Sequence, residues 1–156
     1  MKSLKTPLRY PGGKSRAVPK LCQWLPAEIT EFREPFLGGG SMAIEITKQY
    51  PDLKVWVNDL YEPLYNFWVQ LQSNGEEMAR SLKVLKAKYN TPHNAQGLFL
   101  ESKEIVNDTD AKDQDRAIAF YIVNKCSFSG LTEGSSFSSQ ASDSNFSLRG
   151  IEKLPA

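Results

Sequence analysis

The sequence has almost no charge of either sign in excess. Nineteen Lys and Arg residues face eighteen Asp and Glu, a net charge of +1 over 156 residues. No bulk attraction to nucleic acid or an anionic membrane is therefore built in, although a local basic patch can sit inside a balanced total. Cysteine is scarce: Cys22 and Cys126 are too few and too far apart for a disulfide framework or a thiolate zinc site. Both are expected to be buried thiols in a reducing compartment. Lys2, Lys5, Arg9, Lys14, Arg16 and Lys20 come with no apolar stretch of the kind a signal peptide needs, and no run approaches the length of a membrane-spanning helix. A cytoplasmic protein with no membrane partner is the expectation. His93, the single histidine, lies in a Thr-Pro-His-Asn segment and reads as a surface turn residue. Asp108, Asp110, Asp113 and Asp115 lack the central glycine and terminal glutamate of a calcium loop, so no metal is expected.

What is present is enough for one ordinary folded domain with a real core. Ser15 can cap a helix running to about Leu25, with Pro19 tolerated in its first turn. Glu31 to Phe36 reads as a short strand, followed by Leu37-Gly-Gly-Gly40 and then a helical SMAIEITKQY. After the Pro51-Asp52 break, Lys54-Val-Trp-Val-Asn58 alternates as a strand should. Leu64, Tyr65, Trp68 and Leu71 recur at helical steps over Tyr61 to Gln72. This alternation implies a parallel sheet covered by helices. Gly75 to Tyr89, Ala95 to Asn107 and Lys112 to Val123 read as three further helices. Nine of the twenty-one residues from Ser127 to Ser147 are serine, which predicts a flexible or hairpin-like loop. Trp24, Trp56 and Trp68 are expected in the core.

Two glycine stretches carry the chemistry. PLRYPGGKS, residues 7 to 15, ends like a phosphate-binding loop, but that loop needs glycine six residues before its lysine, and Leu8 stands there. The polar MKSLKT cannot supply its leading strand either, so a P-loop hydrolase is disfavoured. EPFLGGGS, Glu34 to Ser41, is followed by Asp59, 21 residues after Gly38. A glycine turn between a strand and its helix lets backbone approach a nucleotide-like ligand, and a carboxylate at the end of the next strand can accept hydrogen bonds from a ribose diol. The full G-x-G-x-x-G pattern is not met, so a simple tight turn remains the competing reading. With Asp59 in place, a nucleoside cofactor is the better one.

PLRYPGGKS, EPFLGGGS and VNDLYEPLYNFW, in this order, resemble the N-terminal motifs of the D12-class (Dam-type) adenine-N6 DNA methyltransferases, and FYIVNKCSFSGL, Phe120 to Leu131, resumes the likeness. The resemblance implies an α/β, Rossmann-like S-adenosylmethionine-dependent fold with an incomplete sheet and a helical target-recognition insertion. The cofactor-binding half would span residues 1–73 and the helical DNA-recognition region, with its serine-rich loop, residues 74–156. The cofactor implied is S-adenosyl-L-methionine. Tyr10 stands where the family packs an aromatic ring by it, Gly12 and Gly13 permit close approach, and Lys14 stands at the cofactor-contacting lysine. Glu34, Phe36, Gly38, Gly39 and Gly40 would form wall and floor, and Asp59 would take the ribose hydroxyls. The partner implied is double-stranded DNA, with Lys125, Phe128, Ser129, Leu131 and Arg149 as candidate contacts. Ser129 replaces the asparagine that often precedes the glycine there. Arg80, Lys83, Lys86 and Lys88 are candidate phosphate contacts, with a solvated helix face as the equal alternative.

The family's methyl transfer depends on an Asp/Asn-Pro-Pro-aromatic motif, whose carboxylate and carbonyl accept the adenine amine's N–H bonds while a ring holds the flipped base. None of the nine prolines is adjacent to another, and no Asp-Pro or Asn-Pro occurs. The expectation is therefore that no catalytic residue lies in this chain and that Glu31 to Phe36 presents an unpaired edge. Three explanations stand open, in this order: a truncated or disrupted enzyme; a split enzyme, with a second chain or self-association completing the sheet; and a catalytically inactive DNA- or protein-binding remnant.

Overall fold

The computed structural model describes residues 4–130, 132 and 134–155. The chain forms two compact units. One comprises Gly12–Leu60 with residues 4–6, and the other comprises Pro7–Pro11 with residues 61–155. The sequence boundary expected at residues 73 and 74 falls inside a helix, whereas the compact units separate between Leu60 and Tyr61.

The first unit is a small α/β assembly. A 3-10 turn at Lys14–Arg16 leads to the short helix α1 (Val18–Cys22). The single helix expected from Ser15 to Leu25 is thus broken: Pro19 sits in the first turn of α1, where its missing N–H does no harm, and Ser15 makes no capping bond to the backbone. Strand β1 (Glu31–Glu34), helix α2 (Ser41–Gln49) and strand β2 (Lys54–Val57) follow, close to the expected spans. The strands pair in parallel, Glu31 opposite Lys54 and Glu34 opposite Val57. The intervening helix is the kind of crossover connection a parallel pair requires. Among the described residues the sheet has these two strands only, and β1 pairs with β2 alone. Its core is Val18, Met42 and Ile46, flanked by Cys22, Leu25, Phe32, Tyr50, Leu53 and Val55. A two-stranded sheet offers little enclosed volume, and the tryptophan expectation fails here. Trp24 is 80% exposed and Trp56 48% exposed.

The second unit is helical: α3 (Glu62–Lys88), α4 (Pro92–Asn107), α5 (Asp113–Cys126), α6 (Ser139–Ser144) and α7 (Leu148–Ile151). The two helices expected between Tyr61 and Tyr89 run together in α3, with a kink at Asn74, the one residue with non-helical angles inside it. Their buried stripe is Leu64, Phe67, Met78 and Leu82, flanked by Trp68 and Leu71, while Tyr65 points outward. The Thr-Pro-His-Asn segment is the first turn of α4 rather than a turn before it. Thr91 caps it by accepting from Asn94 N–H at 3.3 Å, and Pro92 opens it. Helix α5 is enclosed on every side, as its run Ala117 to Val123 requires. Phe67 packs against Phe120 and Tyr121 with ring centroids 5.5 and 6.3 Å apart. At the periphery, Arg116 is clamped between Glu62, 3.0 Å from its Nη1, and the carbonyl of Val106, while Asn66 donates to the carbonyl of Asp113 at 2.8 Å. These bonds tie the start of α3, the end of α4 and the start of α5 together.

The described part of the serine-rich segment is hairpin-like, one of the two expected forms, but it is packed rather than flexible. Phe128 N–H donates to Ser136 O, Ser138 N–H donates to Cys126 O, and Ser127 bridges Phe137 in antiparallel fashion. Ser138 and Ser147 then cap α6 and α7 by accepting from Ala141 and Gly150 N–H. Serine composition signals local backbone bonding as readily as disorder, and buried Ala141, Phe146 and Ile151 anchor the segment to the helices.

Candidate functional site

The glycine turn of the first unit joins strand to helix, as its spacing predicts. Leu37 N–H donates to Asn58 O and Asn58 N–H to Glu34 O, both at 2.9 Å, which carries the parallel pairing beyond the strands. Gly38 (φ 54°) and Gly40 (φ 72°) occupy the left-handed region, where a side chain is strained, and Gly38 to Gly40 are buried. Asp59, just past β2, accepts from Gly38 N–H at 2.8 Å through Oδ2. The carboxylate called out by its distance in sequence thus closes on the glycine turn itself.

Glu34 ends β1 at 8% exposure and is the electrostatic centre of this unit. Its Oε2 accepts from Ala43 N–H at 3.1 Å, in the first turn of α2, where a carboxylate meets the positive end of the helix. Its Oε1 accepts from Lys14 Nζ at 3.3 Å, and the same ammonium donates to Phe36 O at 3.3 Å. Lys14, Glu34 and the backbone of Phe36 therefore stand together. The Phe36 ring is 77% exposed. Ser15 and Ser41 hydroxyls lie 2.7 Å apart and join the lysine turn to the start of α2. Gly12 turns with φ 71°, whereas Gly13 has an ordinary φ of −56°.

Tyr10 belongs to the second unit, so the PLRYPGGKS stretch is divided between the two. There it lines a cavity of about 230 Å³ with Pro11, Tyr61, Phe120, Asn124, Gly130 and Thr132. Tyr61 and Phe120 rings lie 6.3 Å apart at 54°, and Tyr61 Oη is 3.0 Å from Thr132 Oγ1. Three of the seven lining residues, Tyr10, Tyr61 and Phe120, are aromatic.

Of the DNA-contact candidates, Phe128 and Ser129 are exposed on the turn after α5, and Arg149 is exposed on α7. Leu131 lies outside the described residues. Lys125 is half-buried with its ammonium 5.3 Å from the Tyr121 ring centre. Burial, helped by the nearby Arg9 guanidinium, pushes its pKa down to about 8. Among the candidate phosphate contacts, Lys86 donates to Ser142 O at 3.2 Å and sits over the Phe146 ring, Lys83 pairs with Glu152 at 3.6 Å, and Lys88 sits over Tyr89. Arg80 is exposed on α3. Among the described residues no group of three or more His, Cys, Asp or Glu side chains could hold a metal ion. No described helix is long and apolar enough to cross a membrane.

Sequence reading passes over Arg9 and Asn124, although a signal exists. Asn124 is a polar side chain inside the apolar run of α5, and its 1% exposure demands partners.

Residues 10–153 match the D12 class N6 adenine-specific DNA methyltransferase family. The chain is 31% identical over 124 residues to the DNA N-6-adenine-methyltransferase of Escherichia phage P1, covering 80% of this chain and 15% of that protein. It is 29% identical over 110 residues to the type II methyltransferase M1.LlaDCHI of Lactococcus lactis subsp. cremoris, covering 70% and 33%. With the type II methyltransferase M.MjaIII of Methanocaldococcus jannaschii the identity is 23% over 133 residues, covering 80% and 46%. The chain thus spans less than half the length of each of these relatives. With a family match running through both compact units, the chain belongs to the D12 class of N6 adenine-specific DNA methyltransferases.

Proposed function

We propose that this chain supplies S-adenosylmethionine binding and part of the DNA recognition for methyl transfer to the N6 amine of adenine, within a Rossmann-like fold that further polypeptide completes. The observation that carries the reading is the closed Gly38–Asp59 turn beside the Lys14–Glu34 pair. The residues present fit the cofactor. Glycines at φ 54° and 72° bring bare backbone to the turn, and Asp59, which closes on that turn, has the acceptor oxygens that ribose hydroxyls need. When bound, the cofactor supplies an electrophilic methyl group. Asp59 orients the ribose, Glu34 holds the first turn of α2 and Lys14 in place, and Gly38, Gly39 and Gly40 admit the ligand's edge. Phe36, Gly12 and Gly13 complete the contacts on that unit. In the second unit, Tyr10, Tyr61 and Phe120 take a flat nucleobase or nucleoside ring. Lys125, Phe128, Ser129, Leu131 and Arg149 are the proposed duplex contacts, and the open edge of β1 is completed by a second chain, by self-association or by further polypeptide of the same protein.

Isothermal titration with S-adenosylmethionine, comparing the wild type with Asp59→Ala, tests the reading. Binding that weakens at least tenfold in the variant is expected, the size of one lost charge-assisted hydrogen bond pair. Absence of binding even with a complementing polypeptide that carries an Asp-Pro-Pro-Tyr motif would sink it. Tritiated-methyl transfer to DNA, with and without that polypeptide, separates a methyl-transferring assembly from a DNA- or protein-binding remnant that never transfers methyl.

A further inference from the structure

Asn124 commits its side-chain oxygen and both its N–H groups to two distant pieces of backbone. Its Oδ1 accepts from Arg9 N–H at 2.9 Å, and its Nδ2 donates to Arg9 O at 2.6 Å and to Gly130 O at 2.8 Å. A neutral amide offers one oxygen and two N–H groups, so the side chain is satisfied and its orientation is set: a flip would turn its oxygen toward two carbonyls. The Arg9 side chain continues in the same direction. Its Nη1 donates to Ser127 O at 2.7 Å and its Nη2 to Phe128 O at 3.2 Å. Gly130 completes the knot by steric necessity. It has φ 76°, and a Cβ there would lie 2.7 Å from Arg9 Cβ and 2.8 Å from Arg9 O. No side chain fits where these two segments touch.

Each joined segment carries one part of the proposed function. Arg9 directly precedes Tyr10, whose ring lines the aromatic cavity; Asn124 and Gly130 line it too. Phe128 and Ser129, on the surface turn, do not. We propose that Arg9 and Asn124 are positioning residues that lock the Tyr10 wall of this cavity to the Phe128–Gly130 turn, so that a ring entering the cavity and a duplex meeting the turn are sensed by one rigid piece. The fork of Arg9 suits this role better than a lysine would, because two planar N–H groups reach two successive carbonyls at once. The inference rests on the reading of the cavity and the turn given above.

Two measurements on the full chain test it, each with Arg9→Ala and Asn124→Asp. The aspartate keeps the size of Asn124 and its acceptor for Arg9 N–H but removes both donors. First, hydrogen exchange of the Phe128 amide, which donates to Ser136 O, is expected to speed up about tenfold in either variant while α4 and α5 amides keep their protection. Arg9→Lys should recover part of that protection. Second, adenosine titrated into ¹⁵N-labelled protein should shift the Tyr10 and Phe128 amides together in the wild type. In Arg9→Ala the Tyr10 shift should persist and the Phe128 shift should disappear, a separation that mere loss of stability does not produce. Unchanged Phe128 exchange in both variants overturns the inference, as does a Phe128 shift that survives in Arg9→Ala. If Asn124→Asp fails to fold, Arg9→Ala decides alone. If adenosine leaves Tyr10 unmoved in the wild type, the reading of the cavity fails, and the exchange measurement still judges the knot.

Discussion

The first unit gathers the acidic and glycine-rich groups around Val18, Met42 and Ile46, whereas the second encloses a core that runs from Leu8 through Leu64, Phe67, Met78 and Leu82 to Tyr121, Phe146 and Ile151. Both units expose large apolar side chains, but the first, the shorter of the two, exposes Trp24, Phe36, Trp56 and Leu60 beside its small core, whereas the second exposes Val84, Leu100, Phe128 and Leu148 outside a large one. Hydrophobic burial scales with enclosed apolar area, so the helical unit carries most of the folding free energy. The unit with the cofactor candidates is held by specific polar bonds: Lys14 to Glu34, Glu34 to Ala43, and Asp59 to Gly38.

The comparison breaks most readily at Phe67. Phe67→Ala removes a fully buried ring stacked among Trp68, Phe120 and Tyr121. It should cost about 3–5 kcal/mol in urea unfolding followed by circular dichroism. If Ile46→Ala, in the first unit, lowered the same helical transition equally, the two regions would not differ in the way described.

Glu34→Ala is next. It leaves the buried Ala43 N–H without its acceptor and Lys14 without its partner, a loss of about 1–3 kcal/mol. Amide exchange at Ala43 should rise while α5 amides stay protected. Exchange that rises equally in both units would contradict separate stabilities.

Lys125→Met sharpens the comparison from the other side. The folded chain holds the Lys125 proton less tightly than the unfolded chain, so between pH 8 and 10.5 the unfolded state binds more protons and wild-type stability gains with pH from this group. The burden is complete below pH 8 and gone above 10.5. The variant should therefore be more stable than wild type by about 1–3 kcal/mol at pH 7, and the advantage should shrink as pH rises through that window. Burial pushes the Cys126 thiol up to about 12, which lowers stability above pH 9 in both proteins and cancels in the difference. A pH-independent gain would show that packing rather than charge burial is responsible.

Trp24→Ser should change stability by no more than about 0.5 kcal/mol, because the indole is 80% exposed. A larger loss would mean that the first unit has more core than its enclosed side chains indicate.

Much of the first unit was legible along the chain. Strand, glycine turn, helix and strand each depend on neighbours a few residues away, and the spans from Glu31 to Val57 follow the hydrophobic alternation and the Gly38 to Gly40 run. Errors gathered where composition stood in for contact. The serine-rich stretch reads as a flexible or hairpin-like, unpacked loop because serine bonds its own backbone in turns, yet the same chemistry caps α6 and α7. Tryptophan reads as core by its size, but size cannot create the enclosing layers that a two-stranded sheet lacks. Asn124 is passed over along the chain, since its partners Arg9 and Gly130 are unpredictable from periodicity.

By itself the amino-acid sequence determined the order of elements, the glycine turn and the acidic residue that closes on it, because turn chemistry and side-chain period act over short separations. Only the tertiary structure decided that PLRYPGGKS is shared between two units, with Arg9 and Tyr10 in one and Lys14 in the other. It also decided that an amide 115 residues away clasps Arg9. The physical reason is that a buried polar group must find its partners wherever folding brings them, and no local pattern in the chain records where that will be.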